Sequence, residues 1–156
     1  MDRSRVDLAR GGFVAAAVAG VVHALFSVYW GLGGDVLLDT VGEVADAFAG
    51  RRRLLCVVGI AKGAAAVVPL VIFLRCRRIP CVLRGAMWAG AGVLVLWGAV
   101  NTVSSALLAA GILARAPETY DRTATLGHAL LWDPLFLVWG LALVAGLWAT
   151  RTNRSA

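Results

Sequence analysis

LLCVVGIAKGAAAVVPLVIFL, Leu54 to Leu74, carries a single charge, that of Lys62. An apolar run of about 20 residues is long enough to cross the hydrocarbon core of a bilayer as a helix. Lys62 is the only lysine in the chain, against fourteen arginines. A charge inside such a run is costly, and it is tolerated where it faces a protein interior and has a partner. Three further runs reach spanning length: Gly11–Leu32, Gly85–Leu113 and Thr125–Thr150. Each holds a polar residue of its own: His23, Asn101 and Asp133 respectively.

These runs decide the fold class. Of 156 residues, 60% are hydrophobic and 15% charged, where a soluble domain carries nearer ~25% charged residues. The expectation is an all-α integral membrane four-helix bundle, a single transmembrane domain over residues 1–156. No stretch is left for a soluble catalytic domain. The N-terminal arginines Arg3, Arg5 and Arg10 followed by small apolar residues mimic a secretory leader. The apolar stretch continues to Trp30, beyond the ~7–15 residues of a leader's apolar core, so it is read as a retained first span.

The net charge of +6 does not indicate nucleic acid. The arginines sit at the ends of the apolar runs, where they anchor and orient spans, and they form no stripe with interleaved aromatics. With both termini on one side, that side carries Arg3, Arg5, Arg10, Arg75, Arg77, Arg78, Arg84, Arg151 and Arg154. The opposite side carries Arg51, Arg52, Arg53, Arg115 and Arg122. The positive-inside rule then favours both termini in the cytoplasm, with Arg51–Arg53 as the dissenting triplet. Trp30 and Trp132 fall near the outer surface and Trp88 and Trp148 near the inner one, as headgroup-level indoles do. Trp97 and Trp139 lie deeper and are expected to pack between helices.

Cys56, Cys76 and Cys81 show neither a CxxC nor a Cys/His metal spacing. No metal and no cofactor is expected, and a small quinone or disulfide oxidoreductase, which needs a dithiol pair, is excluded. In the first outer loop, Leu37, Val41, Val44 and Phe48 recur at helical spacing with Asp39, Glu43 and Asp46 on another face. This predicts a short amphipathic helix on the outer surface, placed to shield the bundle top or cap a cavity. Small-xxx-small pairs (Ala16/Gly20, Gly59/Gly63, Ala86/Gly90, Ala142/Gly146) allow close helix approach. They support a bundle and leave a homodimer open.

The polar residues share a level. With a rise of 1.5 Å per residue, His23 lies ~13 Å below the outer end of its run, Lys62 ~12 Å, Asn101 ~14–18 Å and Asp133 ~12 Å. Unpaired polar groups in hydrocarbon seek one another, so Lys62 and Asp133 are expected to form an ion pair with His23 and Asn101 nearby. Gly20, His23, Ser27 and Trp30 form one stripe, Trp97, Asn101, Ser104 and Ser105 another, and His128 and Trp132 stand one turn apart. The candidate ligand-binding set is His23, Trp30, Lys62, Asn101, His128, Trp132 and Asp133. A pair that only fixes helix register, without any chemistry, is the stronger reading of these residues. At Leu131-Trp132-Asp133-Pro134, Pro134 either kinks a continuous helix or starts a new one capped by Asp133.

The pattern His23 to Tyr29-Trp30-Gly31-Leu32-Gly33-Gly34, together with His128-Ala-Leu-Leu-Trp132-Asp133-Pro134-Leu-Phe-Leu-Val-Trp139-Gly140, resembles a family of small bacterial four-span membrane proteins known as a domain of unknown function, DUF3995. The resemblance covers nearly the whole chain. It implies fold and membrane location and carries no activity. Four functional classes follow from the residues. The first is a binding module for a small lipophilic or amphiphilic ligand. The others are a proton-coupled transporter, an intramembrane isomerase using His23 and Asp133, and a structural subunit. The isomerase reading is weak, because sterol-isomerase-like sites use intramembrane glutamates and no span here contains one.

Overall fold

The computed structural model describes residues 3–42, 47–48, 50–76, 79–114 and 120–151. Four long helices dominate: α1 (Arg3–Gly31), α2 (Leu54–Arg75), α3 (Cys81–Ala109) and α4 (Arg122–Ala149). Each is long and apolar enough to cross a membrane, and no strand occurs among the described residues. The chain is a multi-pass helical membrane protein.

The helices do not stop where the apolar runs stop. α1 begins at Arg3, well before Gly11, because helix propensity continues through polar residues that hydropathy ignores. α3 starts at Cys81, directly after Pro80, and ends at Ala109, short of Leu113. Its end is fixed locally: Gly111 takes φ +71°, Gly111 N–H donates to Leu108 O at 3.0 Å, and Ile112 N–H donates to Leu107 O at 2.9 Å. That is a Schellman closure, which needs a left-handed residue at this position. α4 begins at Asp121, whose carboxylate accepts from Ala124 N–H at 3.0 Å and satisfies one of the orphan donors of the first turn.

The principal packing runs α2 on α1, α1 on α4, and α4 on α3. α1 and α4 are therefore the central pair, and α2 and α3 are flanks with much of their surface outward. Backbone proximity sets these contacts. A Cβ on Gly12 would stand 2.5 Å from Gly146 N, one on Gly98 2.5 Å from Leu137 N, and one on Gly59 2.8 Å from Ala24 O. Only glycine allows such approach, which replaces the hydrophobic driving force missing between helices in lipid. Gly90 and Gly85 have nothing within 4 Å, so the Ala86/Gly90 pair lies off the interface.

Below the polar layer, Phe13, Ala16, Ala19, Ala66, Trp139, Leu143 and Leu147 form the main core, with Met87 and Ala91 from α3. Phe13 stacks on Phe73 of α2 with centroids 4.9 Å apart. Trp139 is buried as expected, whereas Trp97 is 59% exposed and faces outward; Asn101, Ser104 and Ser105 of the same stripe are half-buried. Trp30 and Trp132 are buried at 3% and 2% exposure. They pack inside the end of the bundle rather than facing outward.

The amphipathic helix expected in the first outer loop falls largely outside the described residues. The described segment is a four-residue 3₁₀ turn, Leu38–Val41, entered through Leu37 at φ +59°. Glu43, Val44 and Asp46 lie outside the described residues. The turn does sit on the bundle: Val41 is buried with Trp30, Leu55 and Trp132, with Phe26, Leu38 and Phe48 packed around them.

Candidate functional site

The site is built in layers from the loop end inward. In the first, the loop is fastened by side chains of the helices below it. Trp30 Nε1–H donates to Val36 O at 2.8 Å, and Trp132 Nε1–H donates to Thr40 Oγ1 at 2.9 Å. Arg52, at the start of α2, reaches back to Gly34 O at 2.8 Å and pairs with Asp35 at 2.6 Å. Gly127 lies against Thr40, where a Cβ would come 2.3 Å from its carbonyl oxygen. The buried Trp30 and Trp132 indole N–H groups thus each find an acceptor, as burial of a polar group favours.

The second layer is aromatic. Trp30 and Trp132 meet edge to face at 5.1 Å, and Phe26 contacts both, at 5.7 Å and 5.2 Å. These offset and edge geometries match the quadrupoles of the rings. His23 lies beneath, 5.5 Å from the Trp132 ring and 4.0 Å from the Phe136 ring.

The third layer holds the intramembrane amine. Lys62 Nζ is 3.3 Å from His23 Nδ1 and donates to Ser27 Oγ at 3.1 Å. It also lies 5.5 Å from the Phe136 ring centroid, within cation–π range. Ser27 passes its own hydroxyl proton to His23 O at 3.2 Å. It is therefore an acceptor to the ammonium, with no proton to offer a base. With Lys62 as the ammonium donating to both partners, His23 Nδ1 is the acceptor and the ring proton sits on Nε2. His23 Nε2 is buried and has no hydrogen-bond partner. Trp139 Nε1, one turn along α4 from Phe136, is a second buried donor without an acceptor.

Asp133 does not join this layer. The expected Lys62–Asp133 ion pair is absent: the Asp133 carboxylate, 2% exposed, is 3.0 Å from His128 Nδ1. The cause is a wide turn. His128–Trp132 forms a π segment inside α4, closed by Asp133 N–H to His128 O. Pro134 lacks the N–H that Leu130 O would otherwise receive, and its ring crowds that carbonyl. The extra residue in the turn relieves both and brings His128 over Asp133. Trp132 and Asp133 keep helical dihedrals and Asp133 caps nothing, so the helix is continuous and the new-helix reading is excluded.

Asn101 is also separate. Its Nδ2–H donates to Trp97 O, 2.8 Å away on its own helix. Of the seven expected residues, the structure brings His23, Trp30, Lys62 and Trp132 together. It pairs His128 with Asp133 beside them and leaves Asn101 on a flank. Phe26, Thr40 and Phe136 belong to the assembly and were missed from the candidate set. Their signal was spacing: Phe26 follows His23 by three residues, and Phe136 follows Trp132 by four. Thr40 carried no such signal, because its role depends on the loop folding back. Among the described residues, no group of three or more His, Cys, Asp or Glu could hold a metal. All three cysteines are free, and Cys56 Sγ lies 3.9 Å from Val28 O.

A family model described as a protein of unknown function (DUF3995) matches residues 20–143. The chain belongs to the DUF3995 family. The matched segment includes both polar assemblies of this DUF3995 protein, His23–Ser27–Lys62 and His128–Asp133, and the aromatic layer between them and the loop. No curated protein sequence and no solved structure matches the chain.

Proposed function

We propose that this protein is a bilayer-embedded binding protein for a small lipophile that carries one acceptor head group, a carboxylate or a comparable oxygen-rich group. The observation that carries this reading is the state of the third layer. Lys62 has no carboxylate within 4.0 Å among the described residues, and His23 Nε2 beside it is a buried donor with no acceptor. An uncompensated cation and an unmet N–H in an apolar layer are each costly. One bound acceptor group beside the amine offsets the first of these costs.

The ammonium has three protons, and His23 and Ser27 take two. The third is the donor left for an incoming head group. Phe26, Phe136, Trp132 and Trp139 supply apolar and π surface for the body of the ligand. Lys62 is only partly buried, which favours entry from the bilayer beside α2 rather than through the fastened loop end. The partition of arginines favours both termini on the cytoplasmic side of the plasma membrane.

The test is extraction in mild detergent followed by native mass spectrometry, wild type beside Lys62→Met. A co-purifying small-molecule adduct on wild type that is lost in the variant supports the reading and gives the ligand mass. A photoactivatable long-chain fatty acid offered to both proteins should label peptides around Phe136 in wild type alone. Bare masses in both, with no labelling, would assign the layer to helix packing. The same spectra read whether the protein is monomeric or dimeric.

A further inference from the structure

We propose a second site at the opposite end of the bundle: a seat for the phosphodiester headgroup of an anionic membrane phospholipid, formed by Arg5, Arg84 and Arg151. Arg5 of α1 donates to Arg151 O at 3.1 Å. Arg84 of α3 donates to Thr150 O at 2.9 Å and to Thr150 Oγ1 at 2.5 Å. Two helices that flank α4 thus send guanidinium groups to adjacent carbonyls at its C-terminus. The Arg151 guanidinium lies 4.6 Å over the ring of Trp88, one turn beyond Arg84 on α3.

Three positive charges converge here, and among the described residues none is paired with a carboxylate. The C-terminus of α4 offsets only about half a charge. Asp2 and Asp7 are the only acidic residues in the segments at this end of the bundle, against nine arginines, while the loop segments balance five arginines with six acids. Arg5 and Arg84 each use part of a five-donor fork on carbonyls, and the rest remains for phosphate oxygens, which the planar fork matches. Trp88 and the exposed Trp148 mark this level as that of lipid headgroups. Basic pockets between spans are a recurring way to hold anionic headgroups.

Carbonyl capping explains Arg5 and Arg84 but not Arg151, whose guanidinium rests on an indole. Arg151→Gln therefore tests the site without uncapping α4, while Arg84→Gln carries a folding risk. Wild type, Arg151→Gln and Lys62→Met are reconstituted in nanodiscs of phosphatidylcholine and phosphatidylglycerol in equal parts. They are then released and weighed by native mass spectrometry. Wild type should retain phosphatidylglycerol over phosphatidylcholine, and Arg151→Gln should lower that preference about five-fold. Lys62→Met should retain it in full, which separates this site from the amine layer. Equal retention of both lipids by wild type, or an unchanged preference in Arg151→Gln, would overturn the proposal and leave the arginines as helix caps and interface anchors.

Discussion

Lys62 Nζ reaches across from α2 to His23 Nδ1 of α1, 3.3 Å away, and not to the carboxylate of Asp133. The intramembrane charges are thus divided into two neighbouring assemblies, one without a counter-ion and one with its own histidine. This division makes the role of each residue separable by mutation.

Lys62→Met should leave the folded protein as stable as wild type, or more stable by up to about 2 kcal/mol. Removing an uncompensated charge from an apolar layer offsets the loss of two hydrogen bonds. Thermal unfolding in detergent measures it. A clear fall in melting temperature would show that the amine is a tie between α1 and α2 rather than a binding group.

Asp133→Asn should destabilise by about 1–3 kcal/mol, because the buried partner of His128 loses its charge-assisted bond. A double-mutant cycle settles the pairing. Asp133→Asn with His128→Ala should show a coupling energy of about 0.5–3 kcal/mol, whereas Asp133→Asn with Lys62→Met should add within about 0.5 kcal/mol. The reverse pattern would restore the Lys62–Asp133 pair.

Trp132→Phe and Thr40→Val each remove one end of the bond that fastens the loop. Each should cost about 1 kcal/mol, and the double variant should cost no more than either alone. Hydrogen exchange of residues 36–42 should quicken in both, with little change in the core of α1 around Ala16. Unchanged exchange in Trp132→Phe would mean that the loop is held by Trp30, Arg52 and Val41 without the Trp132–Thr40 bond.

Gly12→Ala and Gly98→Ala place a methyl against the backbone of α4. Each should destabilise by about 1–3 kcal/mol through forced helix separation. Gly11→Ala and Gly90→Ala, where nothing lies within 4 Å, should be neutral or gain up to about 1 kcal/mol from helix propensity. Similar effects at all four positions would refute the packing order α2–α1–α4–α3.

The residues missing from the candidate set show where reading the chain stopped. His23, Lys62 and Asp133 were found because a polar residue stands out within an apolar run. Phe26 and Phe136 did not stand out, since an aromatic in such a run has no contrast with its neighbours. Thr40 sits in a loop whose path is fixed by Trp132, ninety-two positions away in the chain. Asn101 was grouped with His23 by depth alone, and depth along a helix says nothing about the direction it faces.

Length and hydropathy are local properties, so the sequence by itself determined four helices of spanning length, their polar residues and the position of each along its helix. The direction each polar side chain faces is not local. It follows from where Gly12, Gly59 and Gly98 let backbones touch, and from the wide turn that Pro134 imposes on α4. Only the tertiary structure could place Lys62 against His23 and Ser27 and turn Asp133 toward His128. A rotation of one helix by a fraction of a turn leaves every depth unchanged and exchanges every partner.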